Sequence, residues 1–141
     1  MQVQEIMTRD VETITPDESL FDAAQKMRCV DAGAIPVVTA DGSVVGMLTD
    51  RDIVVRAIAD GKNPKEVRVG DAMTADPVAC RPDRPLDAAA NTMRDRRIRR
   101  LLVTEEHNKN VVGIISLGDV AARAHETELV GEAAEAIAQP A

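Results

Sequence analysis

Two short stretches set a hydroxyl three residues ahead of a carboxylate, each following an apolar run with a glycine. They are Thr49-Asp50-Arg51-Asp52 after Gly46-Met47-Leu48, and Ser116-Leu117-Gly118-Asp119 after Gly113-Ile114-Ile115. A carboxylate can accept hydrogen bonds from both hydroxyls of a ribose, and a hydroxyl beside unpaired helix N–H groups suits a phosphate oxygen. Asp52 and Asp119 are therefore candidates for a sugar, with Thr49 and Ser116 near a phosphate. The same spacing is a helix N-cap pattern, worth about 1 kcal/mol with no ligand present. The capping box prefers Glu or Gln at its last position, and here it is Asp twice, so both readings stand. Arg51 lies within reach of an anion in the first stretch, whereas the second has Gly118 in its place. The cluster Arg94, Arg96, Arg97, Arg99 and Arg100 could supply that charge, since a guanidinium fork matches phosphate oxygens. Equally, these arginines could complement the C-terminal dipole of a helix.

Nothing in the chain looks like an activated nucleophile. It has no G-x-S-x-G, no Walker-type phosphate loop, no Rossmann glycine fingerprint and no His–carboxylate pairing. Two histidines, His107 and His125, and two cysteines, Cys29 and Cys80, form no metal-ligand cluster and no CxxC. The expectation is a non-enzymatic chain without a metal, with free thiols in a reducing compartment.

The elements that must position these groups are visible as a repeat. An offset of 66 aligns Met7-Thr8 with Met73-Thr74, Asp10 with Asp76, Leu20 with Leu86, Ala23-Ala24 with Ala89-Ala90, and Met27-Arg28 with Met93-Arg94. The offset becomes 67 after the polar turns 39–43 and 105–110, then aligns Val44-Val45-Gly46 with Val111-Val112-Gly113 and Asp52 with Asp119. Each copy reads as β-α-β-β-α. An extended lead-in (Val11–Thr15; Val78–Arg81) precedes a helix with apolar residues at i, i+3, i+4 and i+7, namely Leu20, Ala23, Ala24, Met27 and Leu86, Ala89, Ala90, Met93. Strands follow at Ile35–Val38 with Val44–Leu48 and at Leu101–Thr104 with Val111–Ile115, then a second helix. The predicted organisation is a first repeat over 3–60, a linker over 61–70, a second repeat over 71–125, and an acidic amphipathic helix or tail over 126–141. In that tail Val130, Ala133, Ala134 and Ile137 share a face, broken by Gly131 and stopped by Pro140.

Units of about 60 residues are marginal alone, so the repeats are expected to pack together. The 141 residues include no Trp, no Tyr and one Phe, which removes the aromatic platform used for single-stranded nucleic acid. A net charge of −7 further disfavours nucleic acid, although residues 67–123 carry 10 basic against 8 acidic groups. No apolar run reaches the roughly 20 residues of a membrane span, and the N-terminus lacks a signal-peptide pattern, which points to the cytoplasm. Phe21 aligns with Asp87 and should point away from the core of its own repeat.

The strings IMTRDVETITPDESLFDAAQKM and AGAIPVVTADGSVVGMLTDRDI, with their second copies AMTADPVACRPDRPLDAAANTM and RRLLVTEEHNKNVVGIISLGDV, resemble the cystathionine-β-synthase (CBS) domain pair, or Bateman module. The likeness covers about residues 3–125. It implies an α/β fold of tandem repeats related by a pseudo-twofold axis, with clefts that in many relatives bind AMP, ATP or S-adenosylmethionine. It implies a regulatory module, without an obligatory cofactor, that forms a homodimer and signals to an unknown target protein. Adenine would lie against Val11–Ile14, including Thr13, with Ile35 and Pro36 in one copy, and against Val78–Cys80 with Leu101 and Leu102 in the other. The resemblance also sets Arg99 and Arg100 close to a cleft, where Leu102 replaces the proline found at Pro36. The competing reading is an interaction or structural module whose clefts are empty.

Overall fold

A computed structural model describes residues 1–123 and 127–139. The chain divides into two compact units that are not the two repeats. One holds Glu12–Pro77 with Asn108–Asn110; the other holds Met1–Val11, Val78–His107 and the chain from Val111 on. Each unit thus combines the body of one repeat with the opening segment of the other copy.

In the first-repeat unit, α1 (Leu20–Val30) starts at Ser19, whose Oγ accepts the Asp22 N–H at 3.1 Å, and ends at Asp31 in the left-handed conformation. Strands β1 (Ala34–Val38) and β2 (Val44–Thr49) pair antiparallel, with Ala34 opposite Thr49 and Val37 opposite Gly46. β2 alternates buried and half-buried residues, as a strand with one core face must. It runs directly into α2 (Asp50–Ile53) and a π turn over Val54–Ile58. The expected linker ends in a short helix, α3 (Val69–Ala72), whose Val69 is fully buried in this core. Strand β3 (Thr74–Ala75) then pairs antiparallel with Gly46 and Met47. Ala24, expected on the buried face of α1, is exposed. The apolar stripe is narrower than the i, i+3, i+4 pattern allows, because no element lies over that flank of α1 in this unit.

In the second-repeat unit, β4 (Ala79–Cys80) pairs in parallel with Leu102 and Val103, and α4 (Leu86–Arg96) ends at Arg97 with φ 55°. Strands β5 (Arg100–Glu106) and β6 (Lys109–Ser116) extend beyond the expected Leu101–Thr104 and Val111–Ile115. The turn between them shrinks to His107-Asn108, since Asn108 and Asn110 adopt φ of 54° and 59°, a region Asn tolerates better than most residues. The Asn108–Asn110 segment belongs to the first-repeat unit, where Val44 N donates to Asn108 O at 2.8 Å and Asn110 N to Gly42 O at 3.1 Å. Helix α5 (Leu117–Arg123) follows β6, and α6 (Thr127–Ala138) lies against α4 and α5. Gly131 does not break α6: the roughly 1 kcal/mol cost of a helical glycine is outweighed by the packing of Val130, Ala133 and Ile137 on the core. The expected continuation of the preceding helix to His125, and the stop at Pro140, lie outside the described residues.

The repeated Met-Thr pairs close both sheets. In the second-repeat unit Thr8 N donates to Ile114 O at 2.8 Å and Ile114 N to Thr8 O at 3.0 Å, matching the contact of Thr74 with Met47 in the other unit. A Cβ at Gly113 would sit 2.6 Å from Met7 Sδ and 2.9 Å from Thr8 O; at Gly46 it would sit 2.5 Å from Met73 Sδ and 2.9 Å from Thr74 O. The two glycines exist to admit those strands.

Candidate ligand site

Both hydroxyl–carboxylate pairs stand where a strand becomes a helix, and both form reciprocal capping boxes. Thr49 N donates to Asp52 Oδ2 at 3.0 Å and Asp52 N to Thr49 Oγ1 at 3.1 Å. Ser116 N donates to Asp119 Oδ2 at 2.9 Å and Asp119 N to Ser116 Oγ at 3.0 Å. Capping is thus a real role of these four side chains. It does not exhaust them, because an ionised carboxylate has about four acceptor positions and each box uses one of its N–H donors on a single oxygen.

In the first-repeat unit Asp52 Oδ1 faces Arg56 Nε at 3.8 Å, and the Arg56 guanidinium also donates to Ala72 O at 3.1 Å and Met73 O at 2.9 Å. Arg56 is thereby fixed beside the Asp52 carboxylate, a neighbour the sequence did not single out. Arg51 is exposed. Ile35 and Pro36 are buried; Ile14 N donates to Pro36 O at 3.0 Å, so that carbonyl is engaged within the sheet. Thr13 is half-buried and its carbonyl accepts Lys26 Nζ at 2.9 Å.

The second-repeat unit differs. A cavity of about 370 Å³ is lined by Arg99, Arg100, Ser116, Leu117, Gly118, Ala121, Val130 and Ala134. Three residues singled out from the sequence, Arg99, Arg100 and Ser116, meet there. The backbone draws them together: Leu117 N donates to Arg99 O at 2.9 Å, so the start of α5 is tied to the residue before β5. The other three do not line it. Asp119 sits behind Ser116 in the capping box, Leu101 is fully buried in the core, and the Val78 carbonyl accepts Leu102 N at 3.1 Å. Leu117, Ala121, Val130 and Ala134 make the apolar part of the lining. Spacing placed Val130 and Ala134 on one helix face, but nothing in the sequence said what that face meets.

Arg94, on α4, is held away from the cavity. Its Nε lies 3.1 Å from Asp95 Oδ1, which chiefly raises its pKa, and its Nη1 lies 3.3 Å from Glu132 Oε2 on α6. Cys80 is buried in the core, and burial pushes its thiol pKa up, whereas Cys29 is exposed. Among the described residues no group of three His, Cys, Asp or Glu side chains is arranged to hold a metal ion, and no helix is long and apolar enough to cross a membrane.

The CBS domain family model matches the chain twice, over residues 3–58 and 69–126. The chain belongs to the CBS domain family. It is 37% identical over 139 residues to the YlbB protein of Bacillus subtilis, covering 98% of this chain and 92% of that protein. It is 33% identical over 127 residues to hypoxic response protein 1 of Mycobacterium tuberculosis, covering 90% and 87%. Among solved structures, Hypoxic Response Protein I with two coordinated zinc ions superposes with a TM-score of 0.77 at 32% identity, covering 87% of this chain and 98% of that one. CBSX2 in complex with AMP superposes with a TM-score of 0.73 at 25% identity, covering 90% and 98%. The fold is that of a CBS domain pair, and such a pair is a regulatory module. CBS pairing accounts for the repeat, the two three-stranded sheets and the matching strand-to-helix turns.

Proposed function

We propose that this CBS pair is a non-catalytic cytoplasmic regulator that binds an adenosine-containing ligand, of the AMP, ADP, ATP or S-adenosylmethionine class, and passes the change of state to a partner protein. The observation that carries this reading is the cavity where Arg99, Arg100 and Ser116 line one space with the apolar Leu117, Ala121, Val130 and Ala134. Its volume of about 370 Å³ is within the range of small-molecule pockets. The AMP complex of CBSX2 supports the ligand class. Ser116 and Arg99 with Arg100 would take the phosphate and Asp119 the ribose, while Val78 and Leu101, which do not line the cavity, would offer the base edge backbone groups only. Thr49, Arg51 and Asp52, with Thr13, Ile35 and Pro36, would form the weaker counterpart in the first repeat. No obligatory cofactor enters this reading.

Calorimetric unfolding with AMP, ADP, ATP, S-adenosylmethionine and NAD added separately tests it. A ligand at 100 times its dissociation constant raises stability by about 2.7 kcal/mol. Asp119→Ala should remove most of that gain and Asp52→Ala little. An unmoved transition with every compound at millimolar concentration would leave the interaction-module reading in its place. The interaction surface of this protein is the flank of α1 and the π turn, where Ala24, Val54, Val55 and Ile58 are exposed; Val54 and Ile58 keep 56% and 51% of their surface in solvent. At the position equivalent to Ala24, Ala90 is fully buried on α4, against which α6 packs, and we assign a second copy of the chain to the uncovered flank of α1. Sedimentation of wild type and Val54→Asp should give a dimer and a monomer, respectively; a wild-type monomer at micromolar concentration removes the assignment.

A further inference from the structure

We infer that α6 is a working wall of the second-repeat ligand site, so that ligand binding there and docking of the C-terminal helix are coupled and reinforce each other. The inference rests on the ligand reading above and goes beyond it by adding a third element to the site. Five of the eight lining residues come from the β5 and β6–α5 ends that the repeat supplies to both copies: Arg99, Arg100, Ser116, Leu117 and Gly118. Val130 and Ala134 come from α6, which has no counterpart in the first-repeat unit. The first-repeat unit has Gly33 and Ala34 where this one has Arg99 and Arg100, so the two guanidiniums have no counterpart there.

The helix is a wall and not a plug. It is already docked, with Ala133 fully buried, Val130 and Ile137 against the core and Glu132 paired with Arg94 at 3.3 Å, and the cavity remains open beside it. An occupant with its anionic end on Arg99 and Arg100 has Val130 and Ala134 as the apolar surface against which its uncharged body lies. The ligand class this selects is a small anion carrying a flat or apolar body, such as a nucleoside monophosphate, over a bare phosphate. A ligand that touches α6 only in the docked state must stabilise that state by the same factor by which docking raises affinity.

The test uses the full chain with AMP and with inorganic phosphate as probes. Amide exchange over residues 130–138 should slow about fivefold or more at saturating AMP and hardly change with phosphate. Ala134→Met, at an exposed position that leaves the core intact, fills the cavity and should weaken AMP about tenfold or more; Val130→Ala removes apolar contact and should weaken it a few-fold. Arg94→Ala, which touches no cavity atom, should also weaken AMP a few-fold by loosening α6. If Asp119→Ala abolishes AMP binding while Ala134→Met and the exchange rates are unaffected, the ligand reading stands and the wall is refuted. If exchange over α6 quickens with AMP, the helix is a plug and the inference is overturned. If wild type binds no AMP, both fall.

Discussion

Ala24 and Ala90 are the same residue at the same place in two copies of one motif, yet Ala24 is exposed and Ala90 is fully buried. Their neighbours Arg28 and Arg94 repeat the contrast: Arg28 is exposed, whereas Arg94 is half-buried and paired with Glu132. The difference lies in α6, which packs on α4 and α5 and has no equivalent on α1. Burial at such a position is decided by what the rest of the chain brings to it and not by the local pattern. Ala90→Glu should therefore destabilise by about 3 kcal/mol or more, since the carboxylate would be buried without a partner. Ala24→Glu should stay within about 0.5 kcal/mol, as exposed substitutions do. Guanidinium unfolding of the two variants makes the comparison directly. Equal midpoints would mean that α6 is not docked in solution.

Where the copies agree, equal costs are expected. Gly46 and Gly113 each face a Met-Thr strand across a gap that a Cβ cannot share. The methionine sulfur is the end of a flexible chain and can move, but the threonine carbonyl at 2.9 Å is backbone. Gly46→Ala and Gly113→Ala should each cost about 1–3 kcal/mol, the range of overpacked sites, measured as lowered unfolding temperatures. A large difference between the two would show that one Met-Thr strand is held less firmly than its twin.

Much of this architecture was legible in the sequence because it depends on local chemistry written twice. The i, i+3, i+4 apolar residues marked α1 and α4, the short apolar runs marked β1 and β2, and the Thr/Ser-x-x-Asp spacing marked both capping boxes. The exposed side of Phe21 followed from its alignment with Asp87; it is 38% exposed, with Lys65 Nζ 4.9 Å from its ring centroid. What was not legible involves groups far apart in the chain. No local signal joins Thr8 to Ile114, Arg56 to the carbonyls of Ala72 and Met73, or Ala134 to Arg99. Gly131 misled for a related reason. Propensity gives the cost of a helical glycine, but not the packing of Val130, Ala133 and Ile137 that outweighs it.

The two hairpin turns carry the smallest and most local contrast. In the second copy the turn is set by Asn backbone conformation at Asn108 and Asn110; in the first it is organised by a charge. Asp41 Oδ1 accepts from Thr39 Oγ1 at 2.6 Å and from Ser43 N at 3.1 Å, and Gly42 takes φ 85° to close the loop. Chiefly the Thr39 hydroxyl, then the Ser43 N–H, lower the Asp41 pKa from 3.8 to about 2. A pKa depressed in the folded state contributes to stability only where the carboxylate is ionised. The contribution is complete above pH 3.8 and is lost as pH falls toward 2. The group is fully exposed, so solvent screening keeps the effect on global stability small, and the place to look is the turn itself. In an acid titration followed by NMR, the Asp41 carboxyl carbon and the Ser43 amide should shift together with a midpoint of about 2. Asp41→Asn should leave the Ser43 amide without that titration step. A midpoint at 3.8 or above would mean that the charge does not hold the turn, and that both hairpins close on backbone conformation alone.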